Sequence, residues 1–230
     1  MRIALLHGFA GSPADWDDTI AAWAVRDDQL VAVALPGHGE VPVCDTWDGN
    51  LAEVARALSG CELVVGYSLG ARIALGLVAT GRAPRAILIS VNPGISDAER
   101  AARRASDAVW ATLLRERGIE AFASAWQGQP LFATQARASD ERRAARRDRR
   151  IRLDPEQLAR SLEVVGLAEM PDYRGAVTPD RIALVAGADD AKYVAIARAM
   201  GAPLELIADC GHDPTLERPQ ALAEALHRFR

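Results

Sequence analysis

The feature that most constrains this chain is the stretch Gly66-Tyr67-Ser68-Leu69-Gly70. An apolar run, Leu63-Val64-Val65, precedes it. A helical pattern through Arg72-Ile73-Ala74-Leu75, Leu77 and Val78 follows. The spelling G-x-S-x-G between a strand and a helix predicts a sharp turn with the serine at its apex, where the two glycines omit Cβ atoms that would collide. Such a turn lifts Ser68 Oγ off the sheet edge, beside a helix N-terminus whose partial positive charge favours an anion. Taken alone, the motif also fits an ordinary serine in a glycine-containing turn. The rest of the chain has to decide.

Strands and helices alternate on both sides of that turn. Ile3-Ala4-Leu5-Leu6 reads as a buried strand that runs into the loop His7-Gly8-Phe9-Ala10-Gly11-Ser12. A helix follows, capped near Ser12 or Asp15, with Trp16, Ile20 and Trp23 at helical spacing. Leu30 to Leu35 is the next strand and ends in Pro36-Gly37-His38-Gly39. Trp47, Leu51, Val54 and Leu58 form one face of a helix that stops at Gly60. The helix after Ser68 ends near Thr80-Gly81, and Arg85 to Val91 is a further strand closed by Asn92-Pro93-Gly94. Continuous apolar strands alternating with amphipathic helices predict an α/β fold, a mainly parallel sheet with helices on both faces. Ligands of such sheets bind at the carboxyl ends of the strands. The loops after His7, after Pro36 and at Ser68 should therefore share one edge.

From 95 to 171 the alternation stops, and the pattern is helical throughout. Trp110, Leu113, Leu114, Phe122, Trp126, Leu158 and Leu162 are its apolar positions. Residues 137–152 hold eight arginines and three acids. Each of these arginines reads first as part of a solvated helix face. Alternation then resumes, with strands at Ile182 to Val185 and Leu204 to Ala208 and helices at Lys192 to Met200 and Pro219 to Phe229. The expected organisation is a first core part over 1–94, a helical lid over 95–171, and a second core part over 172–230. A helical lobe placed there would cover the strand ends.

The totals bound the function. With 230 residues, half of them hydrophobic, the chain can bury one sizeable core. A net charge of −4 argues against nucleic acid, and no aromatics are interleaved through the arginine run. No apolar run is long enough to span a membrane, and Met1-Arg2-Ile3 enters a strand with no signal peptide ahead of it. Cys44, Cys61 and Cys210 are odd in number and lack metal-ligand spacing, which fits free thiols in a reducing cytosol. The expectation is a cytoplasmic protein without a metal site.

Two more segments belong with Ser68. Gly187-Ala188-Asp189-Asp190 follows the penultimate strand, and Cys210-Gly211-His212-Asp213-Pro214 follows the last. The order Ser, Asp, His, each after a strand, is that of the α/β-hydrolases. His212 would accept the Ser68 proton, and Asp190, favoured over its neighbour Asp189, would orient the imidazole. The backbone N–H groups of Phe9 and Leu69 would form an oxyanion hole, each donor worth about 3 kcal/mol in the transition state. His7 and His38, in glycine loops, read as structural, and His227 as solvated.

At these residues the chain resembles the α/β-hydrolase superfamily over nearly its whole length, and more narrowly the MenH family, the 2-succinyl-6-hydroxy-2,4-cyclohexadiene-1-carboxylate synthases of menaquinone biosynthesis. The matching stretches are Leu6-His7-Gly8-Phe9 with Gly11-Ser12 and Trp16, Leu35-Pro36-Gly37-His38-Gly39, and Gly66 to Arg72. Asn92-Pro93-Gly94, Trp126 with Gln129-Pro130-Leu131-Phe132, Leu158 to Leu162, Asp190-Ala191-Lys192-Tyr193 and Gly211-His212 complete the set. The resemblance implies that Ser68, activated by His212, removes a proton next to a ketone and that pyruvate leaves the ring, with no cofactor. It implies a small substrate with three carboxylates, for which arginine forks are suited. By the same resemblance Arg72, Arg103 and Arg150 would bind that substrate, with Trp126, Tyr67, Lys192 and Tyr193 lining the pocket. Arg104, Arg149 and Arg152 are neighbouring alternatives to Arg103 and Arg150. The same triad under a different lid would serve a hydrolase of esters, thioesters or C–C bonds, so both reactions stay open here.

Overall fold

The protein is described by a computed structural model that covers residues 1–23 and 29–230. The described residues form six strands, β1 (Arg2–Leu6), β2 (Gln29–Val33), β3 (Leu63–Tyr67), β4 (Ala86–Ile89), β5 (Ile182–Gly187) and β6 (Leu204–Ile207). They form one sheet in the order β2-β1-β3-β4-β5-β6, and every neighbouring pair is parallel. The chain runs outward from β1 to β2, then returns to place β3 on the other side of β1. That reversal opens a crevice between the ends of β1 and β3, the place where such sheets bind ligands. Phe9 follows β1 and Ser68 follows β3, so the crevice lies between them.

Residues alternate between the two faces of each strand. Ile3, Leu5, Val65, Ile87 and Ile89 pack on Trp16, Trp23, Leu222 and Leu226, beside α1 (Asp17–Ala22) and α9 (Pro219–Arg228). Ala4, Leu6, Val64 and Leu88 face the other way. They meet Leu51 and Val54 of α2 (Trp47–Ala57), Ile73, Leu75 and Leu77 of α3 (Leu69–Ala79), and Ala197 of α7 (Ala191–Ala199). Burial on both faces explains why the strands read as unbroken apolar runs.

Between β4 and β5 lie α4 (Asp97–Gln127), a 3-10 stretch at Pro130–Arg137, α5 (Asp140–Arg150) and α6 (Pro155–Val165). The glycine Gly118, at φ 74°, breaks α4 into two arms. Leu114, Phe122, Leu158, Ala159 and Leu162 form a third apolar cluster, and Phe9 from the core packs against it. This cluster fastens the helical segment over the crevice.

Several boundaries differ from the sequence-based expectation, each for a local reason. The first helix is split: Ser12 and Asp15 form a reciprocal cap on a 3-10 turn at Pro13–Trp16, and α1 starts after it. Strand β2 ends at Val33, and the Leu35 N–H donates to Nε2 of His7. A short helix that the pattern did not announce, α8 (Pro214–Glu217), begins at a proline and is capped by Asp213, whose carboxylate accepts from the Leu216 N–H.

Candidate active site

Ser68 sits at φ 52° and ψ −105°, a conformation a residue with a side chain rarely adopts. The strain persists because its surroundings leave no alternative. A Cβ on Gly66 would lie 2.3 Å from the Gly70 carbonyl oxygen, and one on Gly70 would lie 2.2 Å from that of Leu6. The Gly70 N–H donates to His7 O at 3.1 Å and the Ser68 N–H to Ile89 O at 2.9 Å, tying the turn to strands on both sides. The glycines therefore permit close packing of turn against sheet, and the packing holds the serine at the apex.

Three side chains from three strand ends converge there. His212 Nε2 lies 3.3 Å from Ser68 Oγ, and His212 Nδ1 lies 2.7 Å from Asp190 Oδ2. His212 and Asp190 are buried. The second Asp190 oxygen caps α7 by accepting from the Tyr193 N–H, which fixes the carboxylate. Asp189 points elsewhere: it is exposed and pairs with Arg137. Tyr193 stacks obliquely on the imidazole at 4.4 Å between centroids, and Tyr67 packs at 5.6 Å. The arrangement can move a proton from Ser68 to His212 while Asp190 supports the charge.

Phe9 and Leu69 flank the serine in the same cavity. Among the described residues, no backbone carbonyl accepts from either of their N–H groups. His7 and His38 hold the loops behind them. His7 Nδ1 donates to Gly8 O and its Nε2 accepts from Leu35 N, while His38 Nδ1 donates to Pro36 O. Burial keeps both imidazoles neutral; with His7 close by, the His38 pKa falls to about 3.

The cavity over Ser68 has a volume of about 380 Å³ and reaches Arg72, Arg103, Trp126, Lys192 and Tyr193. Arg72 Nη1 donates to the Val165 carbonyl at 2.9 Å and has no carboxylate partner among the described residues. Burial, aided by Arg103, lowers its pKa to about 10. Arg103 is held by Asp107, one helical turn on, at 2.8 and 2.9 Å. Lys192 has its Nζ 5.6 Å from the Tyr193 ring centroid. Phe9, Trp110, Trp126 and Phe132 make the aromatic wall, and the Trp126 indole nitrogen has no hydrogen-bond partner.

Arg150 and Tyr67 lie outside that cavity. Both border an adjoining space of about 30 Å³ that shares Phe9, Ser68, Trp126 and Phe132 with it, and Arg150 also lines a cavity of about 790 Å³ beside Gln127 and Gln129. Arg150 donates to Ala10 O and to Gln127 Oε1, both neutral, and burial next to Arg146 lowers its pKa to about 10. Its alternatives are engaged differently: Arg104 pairs with Glu169 at the surface and Arg149 with Asp15.

One expectation needs correction. The arginines of 137–152 were read as a solvated face, yet Arg146 and Arg150 are buried. Arg146 reaches from α5 into the core, with Nε 3.0 Å from Asp15 Oδ1, Nη1 2.9 Å from Asp213 Oδ2 and Nη2 3.0 Å from Thr215 Oγ1. The physical reason is charge pairing: Arg146 is the one ion-pair partner of buried Asp213 among the described residues, and it shares buried Asp15 with Arg149. Against the desolvation of its burial, Arg146 holds the Asp15 carboxyl below its ordinary value. Spacing could have found Arg146, four residues before Arg150 on one helix face, but nothing local marks its acidic partners. Asp107 was also missed, although its i, i+4 spacing from Arg103 is visible.

Among the described residues no cluster of His, Cys, Asp and Glu could hold a metal ion, and no helix is long and apolar enough to cross a membrane. The three cysteines are free.

A parallel sheet with a strained serine, a histidine and an aspartate converging on its carboxyl edge defines a protein of the α/β-hydrolase fold. Residues 3–225 match the alpha/beta hydrolase family. The chain is 33% identical to the 2-succinyl-6-hydroxy-2,4-cyclohexadiene-1-carboxylate synthase of Serratia proteamaculans, over 97% of this chain and 91% of the relative. It is 32% identical to the synthase of the same name from Klebsiella pneumoniae, with the same coverage. Among solved structures, MenH from S. aureus superposes with a TM-score of 0.90 at 27% identity, covering 100% of this chain and 92% of that one. An esterase from Thermogutta terrifontis superposes at 0.82 with 21% identity, which speaks to fold alone. The chain belongs to the α/β-hydrolase family and, within it, to the family of the 2-succinyl-6-hydroxy-2,4-cyclohexadiene-1-carboxylate synthases.

Proposed function

We propose that the protein is a carbon–oxygen lyase that eliminates pyruvate from 2-succinyl-5-enolpyruvyl-6-hydroxy-3-cyclohexene-1-carboxylate, as its relatives' name implies, in menaquinone biosynthesis. The observation that carries this reading is the charge of the cavity. Beside Ser68 and His212 it presents Arg72, Arg103 and Lys192, and the carboxylate of Asp107 is already bound to Arg103. Such a cavity suits a small substrate with several carboxylates.

His212 takes the Ser68 proton, and Ser68 Oγ removes the proton from ring carbon 2, next to the succinyl ketone. The ketone oxygen gains negative charge between the Phe9 and Leu69 N–H groups. The electron pair then forms the double bond from carbon 2 to carbon 3, the existing 3,4 double bond moves to 4,5, and the bond from carbon 5 to oxygen breaks. This leaves the 2,4-diene of the product name. The departing enolpyruvate takes the proton held by His212 and becomes pyruvate, which returns Ser68 and His212 to their starting states. Asp190 keeps the Nδ1 proton of His212 in place throughout. The steps call for no cofactor, and a substrate of this kind is consistent with a cytoplasmic enzyme.

The purified protein should be given the enolpyruvyl substrate and, separately, a neutral aryl ester, with pyruvate release and ester cleavage followed in parallel. Fast pyruvate release that falls by about 10⁴ or more in Ser68→Ala supports the lyase. Ester cleavage without pyruvate would replace it with a hydrolase acting through an acyl-enzyme.

A further inference from the structure

Ser161 lies on α6, where the helix passes over the crevice. It is 1% exposed, it borders the same cavity as Ser68 and Arg72, and its Oγ has no hydrogen-bond partner. Buried hydroxyls without partners are rare, because desolvation costs the group its water and returns nothing. An orphaned hydroxyl beside a catalytic cavity therefore marks a place where a ligand atom belongs.

The position is also held rigid. Gln157, Ser161 and Val165 recur at i, i+4 and i+8 and so lie along one face of α6. The outer two are pinned to the core: Gln157 Oε1 accepts from the Val43 N–H at 3.0 Å, and the Val165 carbonyl accepts from Arg72. Ser161 sits between these ties, one turn from each. Its neighbours Leu158, Ala159 and Leu162 belong to the apolar cluster that packs α6 against α4 and Phe9. A fixed, unpaired hydroxyl in the cavity wall reads the position of one oxygen, and rejects a ligand that lacks it.

We propose that Ser161 donates a hydrogen bond to a carboxylate or hydroxyl oxygen of the substrate and is a specificity-determining residue of this enzyme. The proposal rests on the lyase reading above. Ser161 takes no part in the proton transfers; it sets where the ring sits relative to Ser68.

The test compares the full-length protein with Ser161→Ala, using the enolpyruvyl substrate and the unligated thermal midpoint. In the variant kcat/KM for pyruvate release is expected to fall about 10-fold or more. The thermal midpoint should hold or rise, because removal of an unpaired buried hydroxyl relieves a desolvation cost. Undiminished kcat/KM in the variant would overturn the proposal. So would a loss accompanied by a midpoint lowered by more than about 3 °C, which would make the hydroxyl structural. Absence of pyruvate release from the unmutated protein would remove the lyase reading, and the proposal with it, a result distinct from the other two.

Discussion

Arg146 Nη1 lies 2.9 Å from Oδ2 of Asp213, the residue directly after His212. The same guanidinium reaches Asp15, in the 3-10 turn that follows the Phe9 loop, so one side chain of α5 ties together the segments after β1 and after β6. Gln135 and Thr215 also donate to the Asp213 carboxylate. The helical segment is thereby joined to the sheet by charge as well as by the apolar cluster around Phe122.

Removing that guanidinium leaves the buried Asp213 carboxylate with no ion-pair partner among the described residues, while Asp15 keeps Arg149. Arg146→Met is expected to cost about 3–5 kcal/mol of stability, read from urea unfolding. Adding Asp15→Asn and Asp213→Asn should return part of the loss. Losses that simply add would show that the three groups are not coupled.

The two adjacent aspartates should separate cleanly. Asp190→Asn keeps the size of the side chain but disturbs the tautomer of His212, and turnover should fall by about 10⁴. Asp189→Asn removes only a surface pair with Arg137, and its kinetics should stay within about 2-fold of the unmutated protein. Comparable losses in both variants would argue that the loop, and not one carboxylate, is what matters.

Arg72 offers a test of substrate charge. Its one acceptor among the described residues is a carbonyl, so its charge is available to a ligand. Arg72→Ala should lower kcat/KM for the polycarboxylate by about 100-fold or more, as expected for a lost charge-assisted contact. It should affect a neutral aryl ester far less. Equal losses on the two would count against carboxylate binding.

Acid stability should report on the buried histidines. Burial keeps His38 neutral down to about pH 3 and also lowers the His7 pKa. In the unfolded chain both take up a proton near pH 6.5. The unfolded state therefore binds more protons below that pH, so this stability is full above about 6.5 and is lost as pH falls toward 3. The slope is at most about 1.4 kcal/mol per pH unit for each histidine. His38→Gln should flatten the fall of the thermal midpoint between about pH 7 and pH 4. An unchanged slope would mean that other groups govern the acid limb.

Much of this protein is legible in one dimension. The unbroken apolar strands and the amphipathic helices between them announced the parallel sheet, because burial on both faces leaves a periodic mark on the chain. The glycines around Ser68 marked the turn, because a missing Cβ is visible in the letters. The order of Ser68, Asp190 and His212 after their strands placed all three on one edge, since parallel strands end on the same side.

Tertiary structure alone decided the rest. It placed Arg146 in the core and not in solvent, because its partners Asp15 and Asp213 are far away in sequence and meet it only when the helical segment packs against the sheet. It brought Arg72, Arg103 and Lys192 to the cavity over Ser68 and put Arg150 in the walls of two neighbouring spaces. It left Ser161 buried without a partner, a condition set by neighbours on other elements. Periodicity and turn chemistry are local and survive in the sequence, whereas charge pairing and cavity walls are made by residues brought together from across the chain.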